Sequence, residues 1–210
     1  MHTSLRVIKA PAVEPVSLFD AARHCRLDTE EPELAVYIGA ARQWAEAWLG
    51  RVLITQTLRI TYAGLQEPSA GLGYPGLAAR PAYAWAFGPM TWRRPLEITR
   101  SPVQSIEGVT IIRADGQEVA LEADQFRRAL SSEPGSVTFH GSIVPNPGDQ
   151  VSIDVVAGYG DKADDVPVPI RQGILLLTAF LYEHRGDAGG DPPKAAEMLM
   201  WPYRLVTFGG

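Results

Sequence analysis

The side chains that most often carry catalysis are sparse in this sequence, and they fall in unrelated contexts. Neither a Gly-x-Ser-x-Gly elbow nor a His-Glu-x-x-His motif is present, so the signatures of a serine hydrolase and of a zinc protease are both absent. A hydrolase that uses His140 with Asp154 is a remote third alternative to the two functions developed below. The four histidines of the chain are His2, His24, His140 and His184.

A glycine-rich turn and a group of carboxylates also invite a chemical interpretation. The run Gly158-Tyr159-Gly160-Asp161-Lys162 is similar to a phosphate-binding loop, but it lacks the Gly-Lys-Ser/Thr ending, and prolines stand at the start of the next helix. Asp161, Asp164 and Asp165 supply oxygens that divalent cations prefer, although their spacing is not that of a calcium loop. Both interpretations are therefore minor ones.

His24 and Cys25 are adjacent, and both side chains are metal ligands in other proteins. Neighbouring residues on a helix point about 100° apart, and no second Cys/His pair occurs at zinc spacing. We therefore expect a buried thiol beside a surface imidazole. The sequence predicts no catalytic residue, no metal and no cofactor, and the protein is not expected to be an enzyme.

Composition limits the classes of function that remain. With 210 residues, of which 46% are hydrophobic and 20% charged, the chain has the size and composition of one globular domain. Its net charge of -5 argues against a general nucleic-acid binder, which would need a basic patch. The N-terminus has no apolar run of signal-peptide length, and a single cysteine demands no oxidising compartment. We expect a soluble protein made in the cytoplasm.

The other elements are predicted to pack around a helix over residues 168–185. Its central residues are almost all apolar, so the helix must be buried nearly all round. Pro169 suits its first turn, and Gly186 is the expected residue after its end. Burial within one chain accounts best for most of its faces, while the alternative is partial burial by neighbouring subunits. The residues predicted for that oligomer interface are Ile174, Leu177 and Leu181.

Two further helices are predicted before the β-rich region, over about residues 17–25 and 32–50. Ser17 is the expected N-cap of the first helix, and Asp28 or Thr29 is that of the second.

The second of these helices has the clearest amphipathic pattern in the chain. Trp44 and Trp48 belong to its apolar stripe, and Gly50 is expected to end it. We predict that this stripe packs on the helix over residues 168–185, and consider a cofactor site the weaker interpretation.

A β-rich insertion, over about residues 52–157, separates the helices. Asp115-Gly116 predicts a hairpin within it. The fold class is therefore α+β, with a helical core, an inserted small antiparallel sheet and a long aromatic loop. The predicted strands cover residues 52–62, 96–99, 106–113, 118–121 and 136–139, and a last strand begins at Val151.

The loop over residues 64–94 is rich in glycine and proline, which excludes a long regular element. It also carries aromatic residues that a solvated linker would lack, and loops of this length tend to be functional or disordered. Since interfaces favour Trp, Tyr, Phe and Arg, we predict contact with another protein; the alternative is that the aromatics fold back on their own sheet. The predicted contact residues are Trp85, Phe87, Trp92, Arg93 and Arg94.

Residues 187–210 follow the domain formed by residues 1–186. They comprise a flexible break, a short helix from Lys194 to Met200 and an apolar tail, which needs something to cover it. The tail docks on its own domain or adds as a strand or plug to another subunit. The predicted partner-binding residues of the tail are Trp201, Tyr203, Arg204, Leu205 and Phe208.

Several stretches resemble the head–tail connector (adaptor) family of siphophage-like tailed phages and gene transfer agents. The most specific is VVAGYGDKADDVPVPIRQGILLLTAFLYEHR, since the family has a V-x-A-G-Y-G strand end before V-P-x-x-I and an apolar helix that ends Y-E-x-R. VSLFDAARHCRLD, AARQWAEAWLGRVLITQTLRITY, SPVQSIEGVTI and WPYRLVTF also resemble family segments. The resemblance extends over nearly the whole chain except residues 64–94, where the insertion is longer and more aromatic.

This resemblance implies a structural part of the neck of a virion or phage-like particle. The family forms a ring, typically dodecameric, between the portal protein above and the head-closure (stopper) protein below. DNA passes through the ring without specific binding, and no membrane is involved. The alternative from another class is a monomeric module that binds a peptide or carbohydrate with the loop over residues 64–94.

Overall fold

The computed structural model describes residues 2–28, 31–65, 95–140, 145–146, 148–185 and 190–205. This part of the chain contains both helices and sheets, which confirms the α+β class. The helices are α1 (Leu18–His24), α2 (Leu34–Leu49), α3 (Val168–Glu183) and α4 (Lys194–Met200). The strands are β1 (His2–Lys9), β2 (Gln56–Ala63), β3 (Leu96–Glu97), β4 (Val103–Ile112), β5 (Glu118–Ala120), β6 (Phe126–Ala129), β7 (Ser136–Phe139) and β8 (Gln150–Ala157).

The strands form two antiparallel sheets. The larger has the order β1-β2-β8-β4-β5, and the smaller has the order β3-β7-β6. Strand β2 buries Leu58, Ile60 and Tyr62 from alternate positions, so one face of the large sheet is apolar. These side chains pack with Val137 and Phe139 of the small sheet. We call this apolar core between the sheets the sheet cluster.

The helices form a second apolar core, the helical cluster. Helix α3 packs against α2 on one side and α4 on another, and α1 contacts both α2 and α3. At the crossing of α3 and α4, a Cβ added at Gly173 would lie 2.8 Å from Met200 Cγ, so a larger residue would force the Met200 side chain to shift. Ile170, Ile174 and Leu177 of α3 are buried in this cluster, and only the two end residues of α3 are exposed. Helix α3 was predicted to be buried nearly all round, but in this chain only one face is fully buried, and Leu175, Leu176 and Leu181 on its other faces are partly exposed.

The ends of α1 and α3 agree closely with the sequence prediction, but the start of α2 does not. Ser17 Oγ accepts a 3.0 Å hydrogen bond from Asp20 N, as expected of an N-cap. Helix α2, however, begins at Leu34, two residues after the predicted start at about residue 32, and it has no side-chain cap, so the prediction of Asp28 as its cap was wrong. A turn in which Leu34 N donates to Glu31 O takes the place of the cap. Thr29 and Gly186 lie outside the described residues.

Strands β1 and β6 were not predicted from the sequence. Every residue of β1 is exposed, and β6 exposes three of its four residues. Edge strands of this kind bury too little surface to impose an alternating pattern. The other predicted strands are present with shifted ends, and Gly116 lies in the turn that joins β4 to β5 as expected.

Candidate interaction surface

The turn after β8 is where the sheet and the helices are held together. Gly158 has φ +140°, and a Cβ there would lie 2.6 Å from Thr55 N, so only glycine fits. Tyr159 N donates to Leu53 O at 3.0 Å, and Thr55 N donates to Gly160 O at 3.0 Å. The glycine-rich run therefore binds the connection between α2 and β2 through its backbone, which is a structural task and not that of a phosphate loop.

A surface hollow of about 430 Å3 lies beside this turn, lined mainly by polar groups that already have partners. Gln104 Nε2 donates to Gly158 O at 2.9 Å and to Thr55 Oγ1 at 3.0 Å. Asp165 Oδ2 accepts from Lys162 N at 2.9 Å. The hollow is open and polar, unlike the enclosed and mainly apolar pockets that bind small molecules.

Arg51, directly after α2, connects three parts of the molecule. Its guanidinium donates from both terminal nitrogens to the Glu133 carboxylate, at 2.9 and 2.6 Å, and so reaches the small sheet. Its Nε donates to Tyr203 O in the C-terminal segment. Its charge also lies 5.9 Å from the centre of the Tyr159 ring. The hydrogen bonds from Arg51 lower the pKa of Glu133, which keeps this carboxylate ionised.

The C-terminal segment docks on the end of α2 as far as it is described. Leu205 N donates to Leu49 O at 2.8 Å, and a Cβ at Gly50 would lie 3.4 Å from Leu205 Cβ. Gly50 has φ +67°, the left-handed conformation expected of the residue that ends a helix. Of the two alternatives for the tail, docking on its own domain therefore holds for residues 201–205.

This docking creates an aromatic surface, which we call the tryptophan surface and define as Trp44, Trp48, Trp201 and Arg204. The rings of Trp44 and Trp48 stack with centroids 6.0 Å apart, and Trp48 lies 6.0 Å from Trp201. The Arg204 guanidinium lies over both Trp48, at 5.1 Å, and Trp201, at 5.6 Å. Trp201 nevertheless remains 61% exposed. An ordered tryptophan that is exposed and flanked by arginine is typical of a protein–protein contact.

The predicted interface residues have different environments. Ile174 and Leu177 are buried in the helical cluster of their own chain, whereas Leu181 is partly exposed beside it. Contact with another subunit would therefore reach α3 through Leu181 and the partly exposed Leu175 and Leu176. The interface role of α3 stays a prediction.

Two of the carboxylates considered for catalysis or metal binding are held by arginines. Asp154 binds Arg59 through two hydrogen bonds of 2.7 Å, which commits its carboxylate to an ion pair within the sheet. Asp164 accepts from Arg171 at 2.7 Å. Burial raises the pKa of the Cys25 thiol. Within the described ranges, no group of three or more His, Cys, Asp or Glu side chains is arranged to hold a metal ion.

Other predicted contact residues lie outside the described residues, namely Trp85, Phe87, Trp92, Arg93, Arg94 and Phe208. The role predicted for them stays a prediction.

The role of Arg51 was not predicted from the sequence. Its position directly after the glycine that ends α2 is a local signal, but its partners lie 82 and 152 residues away, so their identity required the structure.

In the part of the chain that the structure describes, no helix is long and apolar enough to cross a membrane.

Comparison with known proteins shows a fold and no sequence family. No family model and no curated protein matches the chain. Seven chains of solved structures match it. One belongs to the virion of a native gene transfer agent (GTA) particle; it is 21% identical, with a TM-score of 0.70, and the match covers 98% of this chain and 97% of that chain.

Two further matches come from particle necks. A chain in the neck of the empty GTA particle, computed with C6 symmetry, is 22% identical with a TM-score of 0.70, and the match covers 99% and 98% of the two chains. A chain in the neck of the native GTA particle, computed with C12 symmetry, is 20% identical with a TM-score of 0.69 and the same coverages. The present chain therefore has the fold of these particle and neck chains, as the resemblance in its motifs predicted.

Proposed function

We propose that this chain is the head–tail adaptor of a gene transfer agent or a related phage-like particle. The observation that carries the proposal is the match over almost the full length of both chains to neck structures computed with C6 and C12 symmetry. In the proposed assembly, copies of the chain form a ring, of twelve subunits under C12 symmetry, that continues the DNA channel between head and tail.

The distribution of apolar surface supports a structural role. Trp201 and Met198, near the chain's C-terminal end, are 61% and 76% exposed, and Phe19 on α1 is 55% exposed. Large exposed apolar side chains that are held in place by their neighbours mark contact sites for other proteins. The described hollows are shallow and polar, so they offer no enclosed site for a reaction.

The proposal gives each region a partner. The tryptophan surface and the tail beyond it attach the ring to the portal protein, and the opposite side of the ring meets the head-closure (stopper) protein. The net charge of -5 suits a channel along which DNA slides without adhering. Burying Trp201 in every copy of a ring multiplies a contribution that is modest in a single subunit.

Copurification with the portal tests this proposal. The portal protein of the same particle is tagged and coexpressed with the wild-type chain, with Trp201→Ala, or with Val36→Ala as a matched control. Val36 is also exposed and apolar, at 72%, but it lies at the other end of α2. We expect Trp201→Ala to weaken capture by about tenfold or more, and Val36→Ala to leave it unchanged.

The copurification results distinguish the portal contact of the tryptophan surface from the adaptor function as a whole. Equal capture of Trp201→Ala and wild type would show that the tryptophan surface is not the portal anchor. Failure of the wild-type chain to associate with the portal in any assembled neck would overturn the adaptor function itself.

A further inference from the structure

The large sheet has two edges, and they differ in charge. Strand β1 pairs only with β2, and β5 only with β4, among the described residues. Residues 2–9 of β1 include Arg6 and Lys9 and no carboxylate. Residues 114–126, which contain β5, include no lysine or arginine; their carboxylates are Asp115, Glu118, Glu122 and Asp124. One edge of the sheet is thus basic and the other acidic.

The apolar side chains of both edge strands also lie on the same face of the large sheet. Thr3, Tyr62, Val151, Ile111 and Val119 follow one another in register across all five strands. This row lies on the face that is buried in the sheet cluster, because Tyr62, Val151 and Ile111 have at most trace exposure. Alternation along the strands then places Val119 of β5 on the apolar face of the sheet.

On β1, Leu5 and Val7 lie on this same apolar face, opposite Ile60 and Leu58 of β2. They extend the face beyond the part that the small sheet covers, since they are 43% and 49% exposed. Exposed apolar side chains on an edge strand favour pairing with another strand.

The polar faces of the two edges are complementary as well. Arg6 of β1 lies directly opposite Arg59 of β2, and Arg59 is already bound by Asp154. Two arginines opposite one another repel, so the Arg6 side chain gains from a carboxylate on its free side. Glu118 of β5 lies on this polar face, because it pairs with Ile112, whose neighbour Ile111 belongs to the apolar face.

From these observations we infer that β1 of one copy pairs with β5 of the next copy, so that the large sheets join into one continuous sheet around the ring. The occupant of each free edge is thus a second copy of this chain, and the inference rests on the proposed ring. Across this joint, the apolar face of β1 lies beside the apolar face of β5, and the basic edge of one copy contacts the acidic edge of the next.

The topology sets the geometry of this joint. All neighbouring strands in the sheet are antiparallel, and the sheet has five strands, so β1 and β5 run in the same direction. Repeating the sheet by rotation around a ring therefore makes β5 and the next β1 a parallel pair. Such a contact joins two different surfaces and closes when the rotation completes a circle, whereas pairing of two β1 strands would stop at a dimer.

Cross-linking distinguishes these arrangements. Leu5→Cys and Val119→Cys are introduced together into a Cys25→Ser chain, which is then assembled with the portal and treated with a short bis-maleimide. We expect a ladder of covalent oligomers that extends to the full ring. Each single-cysteine chain, assembled in the same way, is expected to stay uncross-linked.

Charge reversal provides an independent measurement of the same joint. Arg6→Glu with Lys9→Glu, or Glu118→Lys with Glu122→Lys, is expected to reduce ring yield at least tenfold, and the four changes combined are expected to restore it. Arg127→Glu with Arg128→Glu is the matched control, because these exposed arginines lie on the small sheet. The control is expected to leave the ring yield unchanged.

Three results would overturn the inference. They are rings without a ladder, dimers formed by Leu5→Cys alone, and a failure of the four combined changes to restore the yield. Rings without a ladder would not contradict the proposed adaptor function, because rings would still form. Absence of rings from every assembled neck would instead remove the proposed function and this inference with it.

Discussion

The sheet cluster and the helical cluster are nearly equal in size but differ at their margins. The first contains seventeen buried hydrophobic residues and the second sixteen. In the described part of the chain, three partly buried hydrophobic residues flank the sheet cluster, whereas eleven flank the helical cluster. Five of those eleven are aromatic: Trp44, Trp48, Tyr159, Tyr182 and Tyr203. The apolar core of the sheet region is therefore largely covered, and this region is exposed mainly at its edge strands. The helical region, in contrast, has many partly exposed apolar side chains around its core.

This difference indicates two kinds of contact in one subunit. An open sheet edge binds through backbone hydrogen bonds and sets a direction, which suits contact between identical neighbours around a ring. An open aromatic face binds by burying large side chains, which suits attachment to a different protein. The turn at Gly158 and the side chain of Arg51 fix the two regions relative to each other.

The largest expected loss of stability comes from a substitution at Gly158, in the turn that joins the sheet region to the helical region. Gly158→Ala forces a Cβ to within 2.6 Å of Thr55 N at φ +140°, so backbone strain and overpacking add. We expect a loss of about 4 kcal/mol in the free energy of unfolding, measured by urea denaturation. Gly108→Ala is the control, since nothing lies within 4 Å of its added Cβ. Equal stabilities of the two variants would contradict the proposed role of the turn.

Two alanine substitutions test whether the sheet cluster and the helical cluster contribute differently to folding and to ring assembly. Ile153→Ala empties a fully buried position of the sheet cluster and should cost about 3 kcal/mol of folding free energy. Leu181→Ala, at the margin of the helical cluster, should cost about 1 kcal/mol or less in the isolated chain. It should still lower the ring yield, because Leu181 belongs to the subunit interface predicted for α3, which would add to the joint between sheet edges. Denaturation curves and sizing of assembled necks measure the two effects. A Leu181→Ala chain that assembles normally would refute contact through this part of α3.

Arg51→Lys tests the connection between the regions. Lysine keeps the charge but cannot donate two parallel hydrogen bonds to Glu133 while a third reaches Tyr203 O. We expect a loss of about 1–2 kcal/mol and faster hydrogen exchange at the Leu205 amide, which donates to Leu49 O. Unchanged exchange at Leu205 would show that Arg51 does not hold the tail.

The smallest expected effect is a dependence on pH. Because Arg51 lowers the pKa of Glu133 in the folded chain, this pair stabilises the fold at neutral pH. The stabilisation is lost as the pH falls through the ordinary glutamate range towards the lowered pKa. We expect the Tm of wild type to exceed that of Glu133→Gln by about 1–3 °C at pH 7 and to approach it in acid. A constant difference across this range would argue against the ion pair.

Sequence patterns predicted the elements that are strongly buried. Helix α3 and strand β8 carry long apolar or alternating runs, so their type and position followed from periodicity. The edge strands β1 and β6 were not predicted, because their residues are mainly exposed. These are the strands that local sequence constrains least, although β1 is central to the inferred joint.

The interaction surfaces were only partly predictable. Trp201, Arg204 and Leu205 stood out as apolar or basic residues in a tail, but the stacking of Trp201 beside Trp48 depends on how residues 153 apart come together. The charge difference between the edges was likewise invisible, since it requires the strand order β1-β2-β8-β4-β5. Local patterns contain no such long-range information.

Negative-stain imaging of this chain with the proposed portal partner, beside each protein alone, tests the central claim most directly. The adaptor account predicts a second ring stacked under the portal, with the symmetry of the neck, only in the mixture. A portal that stays bare while this chain remains a well-behaved monomer would contradict the account.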